Sequence, residues 1–181
     1  MLIKSLYNWI NESFNQEYNS LRDYTKTVGR DQYVKRYKEN LFSFEDLNNA
    51  LRLEYTLDEI KVKMVKALDE TLSYTKLDNS IVVYRIVDLD DYPEPSKGTD
   101  ITDKAYLSTS VDISYLLENL ENYEDPLIIK INIPSNTNYI KFPNDFESEL
   151  VFPRGSTLKY TTNLVKMNSN YKEIDAELVR Q

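Results

Sequence analysis

Through the first 75 or so residues, apolar side chains recur every three to four positions, the period of an amphipathic helix. Ile3, Leu6, Tyr7, Ile10 and Phe14 fall on one helical face, and Tyr33, Val34, Tyr37 and Leu41 form a second stripe. Ser43 opens a third segment, with Phe44, Leu47, Ala50 and Leu51. Thr56-Leu57-Asp58-Glu59 has the spacing of a capping box, Glu59 standing three residues after Thr56. Behind it Leu57, Ile60, Met64, Val65, Leu68 and Leu72 predict the longest helix.

At Leu77-Asp78-Asn79-Ser80 the period changes. Ile81-Val82-Val83-Tyr84 is a β-branched apolar run after turn residues and predicts a buried strand. Further strands are predicted at 105–109, 127–133, 139–142, 148–152, 157–161 and 172–179. In the last, Ile174, Ala176 and Leu178 alternate with charged residues, so one face meets solvent. A short helix is predicted at 113–120, from Leu116, Leu117 and Leu120, and an exposed acidic loop at 88–98, which holds Pro93 and Pro95. No internal repeat is present. A chain of 181 residues predicts one domain. Its class is α+β, a helical part over 1–76 packed on a β-rich, mainly antiparallel part over 77–181.

Composition removes several chemistries. The chain has no His, no Cys and three Gly, at positions 29, 98 and 155. That excludes a Ser-His-Asp triad, a thiol nucleophile, a His- or Cys-ligated metal, a G-x-G-x-x-G turn and a P-loop. An enzyme of this composition works with carboxylates, Arg, Lys, Tyr and hydroxyls, and no metal is expected. Lys and Arg number 22 against 30 Asp and Glu, a formal charge of −8. Such a chain is a poor match for nucleic acid and suits a basic partner. No apolar run reaches the length of a membrane span or a signal peptide, so a cytoplasmic site of action is expected.

Three stretches carry candidate chemistry. Arg85 follows Tyr84 in a run flanked by Val83, Ile86 and Val87. A half-buried arginine needs a counter-charge, and spacing alone favours an internal ion pair over a bound phosphate. Ser108-Thr109-Ser110 follows Ala105-Tyr106-Leu107, and strand hydroxyls ordinarily satisfy neighbouring strands. Glu147-Ser148-Glu149 precedes Leu150-Val151-Phe152-Pro153-Arg154-Gly155. In an extended strand both carboxylates share a face, where a solvated acidic surface is the plain reading and a cation between them the functional one.

In this order the stretches resemble the arginine–serine–glutamate (R-S-ExE) class of mono-ADP-ribosyltransferases, which includes clostridial C3-like and binary toxins and the enzymes of T4-like phages. Arg85 lies 23 residues before Ser108, and Ser108 lies 41 before Glu149, spacings that fit the class. Glu149-Leu150-Val151-Phe152-Pro153-Arg154-Gly155 is the most specific part, and the resemblance covers residues 81–160.

The resemblance implies an ADP-ribosyltransferase-like fold, helices on a mainly antiparallel β-sandwich. It implies cleavage of the nicotinamide–ribose bond of NAD, with NAD as co-substrate, through an oxocarbenium-like state. In these terms Glu149 is the catalytic glutamate, Ser108 orients it, and Arg85 binds an NAD phosphate. Thr109 and Ser110 belong to the NAD site and hold its strand. Glu147 matches the position that handles the acceptor, where Glu goes with arginine. Phe142, Phe146 and Glu147 fall in the loop that meets the target protein. Tyr24, Tyr115 and Tyr123 are further candidates near the cofactor, and a place in the core is an equal reading for Tyr115 and Tyr123. The chain departs from the pattern in two places: Ile86 stands where many members have Gly, and residues 111–129 contain no Arg or Lys.

The expected function is transfer of ADP-ribose to an arginine of a host or target-cell protein, by a phage or bacterial effector. An NAD glycohydrolase with water as acceptor stays open, as does a non-catalytic acidic inhibitor of a host factor.

Overall fold

A computed structural model describes residues 41–91, 95–141, 148–167 and 170–180. The stripes at 3–14 and 33–37, and Tyr24, Phe142, Phe146 and Glu147, lie outside the described residues. Three α-helices are described: α1 (Leu41–Arg52), α2 (Glu59–Leu72) and α3 (Ile113–Glu118). In α2 the buried positions Met64, Ala67, Leu68, Thr71 and Leu72 follow the helical period. Its start differs from the capping box expected at Thr56. Asp58 is the N-cap, its Oδ1 accepting from the Lys61 N–H at 2.8 Å. Asp58 already offers a charged acceptor beside the positive end of the helix, so the chain needs no hydroxyl from Thr56. The expected helix at 113–120 ends at Glu118, and a 3₁₀ turn at Leu120–Asn122 follows.

The strands are β1 (Ile81–Asp88), β2 (Asp100–Asp103), β3 (Leu107–Ser110), β4 (Pro126–Ile133), β5 (Ile140–Lys141), β6 (Glu149–Phe152), β7 (Ser156–Tyr160), β8 (Val165–Met167) and β9 (Tyr171–Arg180). They form one hydrogen-bonded path, β2-β7-β9-β4-β1-β3-β6-β5, with β8 on β9. Every pairing is antiparallel except β4 with β9. Seven strands coincide with expected runs. The edge strand β2 (Asp-Ile-Thr-Asp) and β8 have no apolar run and come from pairing alone.

The path curls. β2 and β1 stand four places apart, which in a flat sheet is about 19 Å. Yet Arg85 of β1 and Asp103 of β2 meet at 3.2 Å. Inside the curl, Val83, Leu127, Ile129, Ile131, Leu150 and Phe152 are at most 1% exposed with their neighbours in one apolar cluster. Ile174, Ala176 and Leu178, alternating as expected, join it. A second cluster packs the helices on the sheet, with Leu47, Met64, Leu68 and Leu72 against Tyr106, Ile140 and Val151. At the β6–β7 turn, Gly155 has φ +77°, and its N–H reaches the Asp103 carbonyl at 2.8 Å. A side chain at that φ would be strained. The turn therefore pins the end of β2, the strand whose last residue, Asp103, pairs with two arginines of the cleft described next.

Candidate functional site

The site is built on β1, β3 and β6, which lie side by side. Tyr84 is opposite Ser110, and Ser110 is opposite Glu149. Residues two apart in a strand share a face, so Ser108, Ser110 and Glu149 point the same way. The Ser108 hydroxyl donates to Glu149 Oε1. Glu149 is 4% exposed, so it is no part of a solvated acidic face. A carboxylate so enclosed is held in one orientation, ready to face positive charge.

The expected sharing of one strand face by Glu147 and Glu149 falls on Glu147, which lies outside the described residues. β6 begins at Glu149, and Ser148 has φ +49°, outside the extended region. The Ser148 carbonyl still accepts from Val111 N–H at 3.2 Å, continuing the bonding of β3 with β6.

Thr109 Oγ1 donates to the Leu150 carbonyl at 2.9 Å, the strand-holding part expected of it. Ser110 Oγ accepts from Asp112 N–H at 3.0 Å and donates to the Asp112 carbonyl at 3.1 Å, so it shapes the turn into α3. Asp112 then caps α3 by accepting from Ser114 N–H at 2.9 Å.

The internal ion pair that spacing favours for Arg85 is present. Its side chain is 11% exposed, and Nη2 lies 3.2 Å from Asp103 Oδ2. Nη1 donates to the Ser108 carbonyl at 3.2 Å, tying the guanidinium to the strand that carries Ser108. It also lines the cleft.

The same Asp103 receives a second arginine. Arg52, the last residue of α1, donates through Nε to Oδ1 at 3.0 Å and through Nη2 to Oδ2 at 2.9 Å, a bidentate fork. Ala105 N–H adds a bond to Oδ1 at 3.0 Å. Burial pushes the Asp103 carboxyl up; the charge of Arg85, the bonds and charge of Arg52 and the Ala105 N–H outweigh it, holding the group below the usual carboxylate value.

These walls enclose a cleft of about 350 Å³, within the range of small-ligand sites. Arg85, Ser108 and Glu149 line one side, and Asn48, Asn49 and Arg52 of α1 another. Tyr115, Asn119, Asn122 and Tyr123 line the third, so Tyr115 and Tyr123 are cleft residues and not core. A broader hollow of about 750 Å³ lies between the helices and Pro153–Gly155. Its Arg154 and Asp69 are paired with each other at 2.9 Å.

The donor set of the 350 Å³ cleft fits a dinucleotide. Two guanidinium groups suit a pyrophosphate, tyrosines and amides suit a base and ribose hydroxyls, and one enclosed carboxylate suits a developing cation. Asn48, Asn49, Arg52 and Asp103 were not foreseen. Arg52 closes an apolar helical stripe, which is a faint signal; Asp103, one of 30 acids, has none.

Residues 4–181 match the model of a family described as ADP-ribosyltransferase exoenzyme. An NAD(+)–arginine ADP-ribosyltransferase of Enterococcus faecalis is 26% identical over 166 residues, covering 87% of this chain and 30% of that protein. The chain thus spans under a third of that relative's length. Among solved structures, the Clostridium limosum C3 exoenzyme aligns with a TM-score of 0.72 and 18% identity, covering 94% of each chain. An ADP-ribosyltransferase from Clostridium botulinum aligns with a TM-score of 0.71 and 18% identity, over 93% of this chain and 96% of that one. A protein from S. aureus, solved with NAD, aligns at 0.69 and 18%, over 90% and 92%. These structures share the fold, helices on a large, mainly antiparallel sheet.

Proposed function

The chain belongs to the ADP-ribosyltransferase exoenzyme family, and on that premise we propose that it transfers ADP-ribose from NAD to an arginine of a protein acceptor. The observation that carries this reading is the enclosed Glu149 carboxylate, bonded by Ser108 in a cleft lined by two guanidinium groups.

NAD supplies a glycosidic C–N bond whose electron pair leaves with nicotinamide, so positive charge develops on the ribose. Arg52 and Arg85 line the cleft as the cations for the pyrophosphate. With residues 111–129 lacking Arg and Lys, Arg52 supplies the second positive charge. Glu149 faces the reacting ribose and offsets its charge without forming a bond to it. Ser108 keeps that carboxylate from swinging away. Glu147 handles the acceptor, accepting a proton from the attacking guanidine as its nitrogen joins the anomeric carbon. The residue pattern and the named activity of the E. faecalis relative support the arginine acceptor. Phe142 and Phe146 belong, in this reading, to the loop that meets the target protein. Toxins among the structural neighbours support an effector; phage or bacterial origin and action in the cytoplasm of a target cell complete the reading.

The test is incubation with labelled NAD and target-cell lysate. Wild type should label protein, and Glu149→Ala should lower both labelling and NAD loss by about 10²–10³-fold, the scale of a lost electrostatic stabiliser. Glu147→Gln should keep NAD hydrolysis and lose arginine labelling. NAD loss with no labelled protein would point to water as the acceptor, and no NAD loss at all would end the enzymatic reading.

A further inference from the structure

We infer that Asp103 is a positioning residue of the NAD cleft, a single buried carboxylate that sets the spacing and orientation of Arg52 and Arg85. The inference rests on the function proposed above and deepens it.

Asp103 is not on the cleft surface, whereas both arginines are. Its side chain is 7% exposed, and it holds Arg52 on one side and Arg85 on the other. These two residues come from different elements, the C-terminus of α1 and the middle of β1. Each has a long side chain with several rotamers, and two guanidinium groups close together in one cleft repel each other. The shared carboxylate removes that repulsion and selects one rotamer of each.

The geometry of the fork matters for the ligand. Asp103 takes the Nε–Nη2 edge of Arg52, which leaves the Nη1 edge of a planar group turned the other way. Arg52 is the more open of the two, 36% exposed against 11% for Arg85. Arg85 is braced further by its bond to the Ser108 carbonyl. Asp103 thus connects, through Arg85, to the strand that carries the hydroxyl on Glu149. Backbone bonds hold Asp103 itself: its carbonyl accepts from Gly155 N–H at 2.8 Å, and its side chain accepts from Ala105 N–H at 3.0 Å. The post is therefore rigid, and the arginines hang from it.

Asp103→Asn keeps the shape and removes the charge. In NAD cleavage it should raise KM about ten- to hundredfold, the worth of one charge-assisted hydrogen bond, with kcat changing less than KM. Asp103→Glu, which keeps the charge on a longer arm, should give an intermediate KM. A second readout is the ¹⁵N spectrum of the arginine Nε groups, with Arg52 assigned through Arg52→Lys. Wild type should show a slowly exchanging Arg52 Nε–H, and Asp103→Asn should lose it. An unchanged KM in a folded Asp103→Asn, beside an active wild type, overturns the inference and leaves the function standing. If that variant does not fold, an unchanged KM in Asp103→Glu overturns it. If wild type leaves NAD intact, the proposed function fails, and the spectrum still decides the clamp. A freely exchanging Arg52 Nε–H in wild type overturns it in every case.

Discussion

The wall of the cleft made by β1, β3 and β6 is held by main-chain pairing, whereas the wall made by α1 is held by side chains. On the first wall, register alone places Ser110 opposite both Tyr84 and Glu149, and Ser108 follows two residues along. Changing a surface residue there leaves the spacing of Ser108 and Glu149 untouched. On the second wall, α1 rests on buried Leu47, on Asn48 Oδ1 accepting from Tyr106 N–H at 3.3 Å, and on the Arg52–Asp103 fork. Glu149, the catalytic carboxylate of the proposed function, thus sits on the part that responds least to salt. Arg52, the phosphate-facing cation of that proposal, sits on the part that responds most.

The largest expected effect strikes the paired wall through its core. Phe152 is fully buried and next to Pro153, at the far end of the strand that starts with Glu149. Phe152→Ala should cost about 3–5 kcal/mol and lower the melting temperature by roughly 10 °C or more. KM for NAD in the fraction that stays folded should be close to wild type. A large KM change in the folded fraction would show that the sheet wall tunes the ligand site as well as supporting it.

The ionic wall is tested by acid. The Asp103 carboxyl lies below its ordinary value, so its contribution is complete above the unfolded value of about 3.9 and is lost as pH falls through the folded one. The stability gap between wild type and Asp103→Asn should therefore stay flat from pH 7 to 5 and close only in stronger acid. A gap that closes between pH 7 and 5 would mean that the carboxyl titrates in that range and that the arginines do not hold it charged.

The two walls also differ in how far the chain discloses them. The strands of the first follow from apolar runs, as at Ile81-Val82-Val83-Tyr84 in β1 and Leu150-Val151-Phe152 in β6. Spacing along the chain favours a surface acid at Glu149; only the ordered resemblance marks it as a site residue, and it is buried in the cleft wall. Its burial depends on a strand pairing with Ser110, 39 residues away. The second wall was hidden because ion pairs leave no periodic trace. Asp103 is an acid at the end of an edge strand with no apolar run, and Arg52 lies 51 residues away from it. The helix cap moved from Thr56 to Asp58 for a similar reason, since several acceptors stand within one turn and only the backbone path selects among them. The part of Arg85 that spacing did favour, an internal ion pair, is present beside its place in the cleft.

The smallest expected effect lies where β6 begins. Ser148 has φ +49°, in the left-handed region that costs a residue with a Cβ about 1 kcal/mol. Glycine adopts that φ without the clash, so Ser148→Gly should leave stability within about 1 kcal/mol of wild type, relief of strain opposing the greater freedom of the unfolded chain. Its effect on catalysis should be of a different kind. The Ser148 carbonyl anchors to Val111 N–H, and the next residue is Glu149. A glycine lets the chain before Glu149 sample more conformations, while Glu149 remains fixed by β3 through the Ser110 register and the Ser108 hydroxyl. NAD hydrolysis should therefore stay near wild type, and transfer to arginine, which the proposed function assigns to Glu147, should fall severalfold. Measuring both rates on one preparation separates the two. An equal fall in hydrolysis would show that the left-handed residue, and not the pairing with β3, is what holds Glu149 in place.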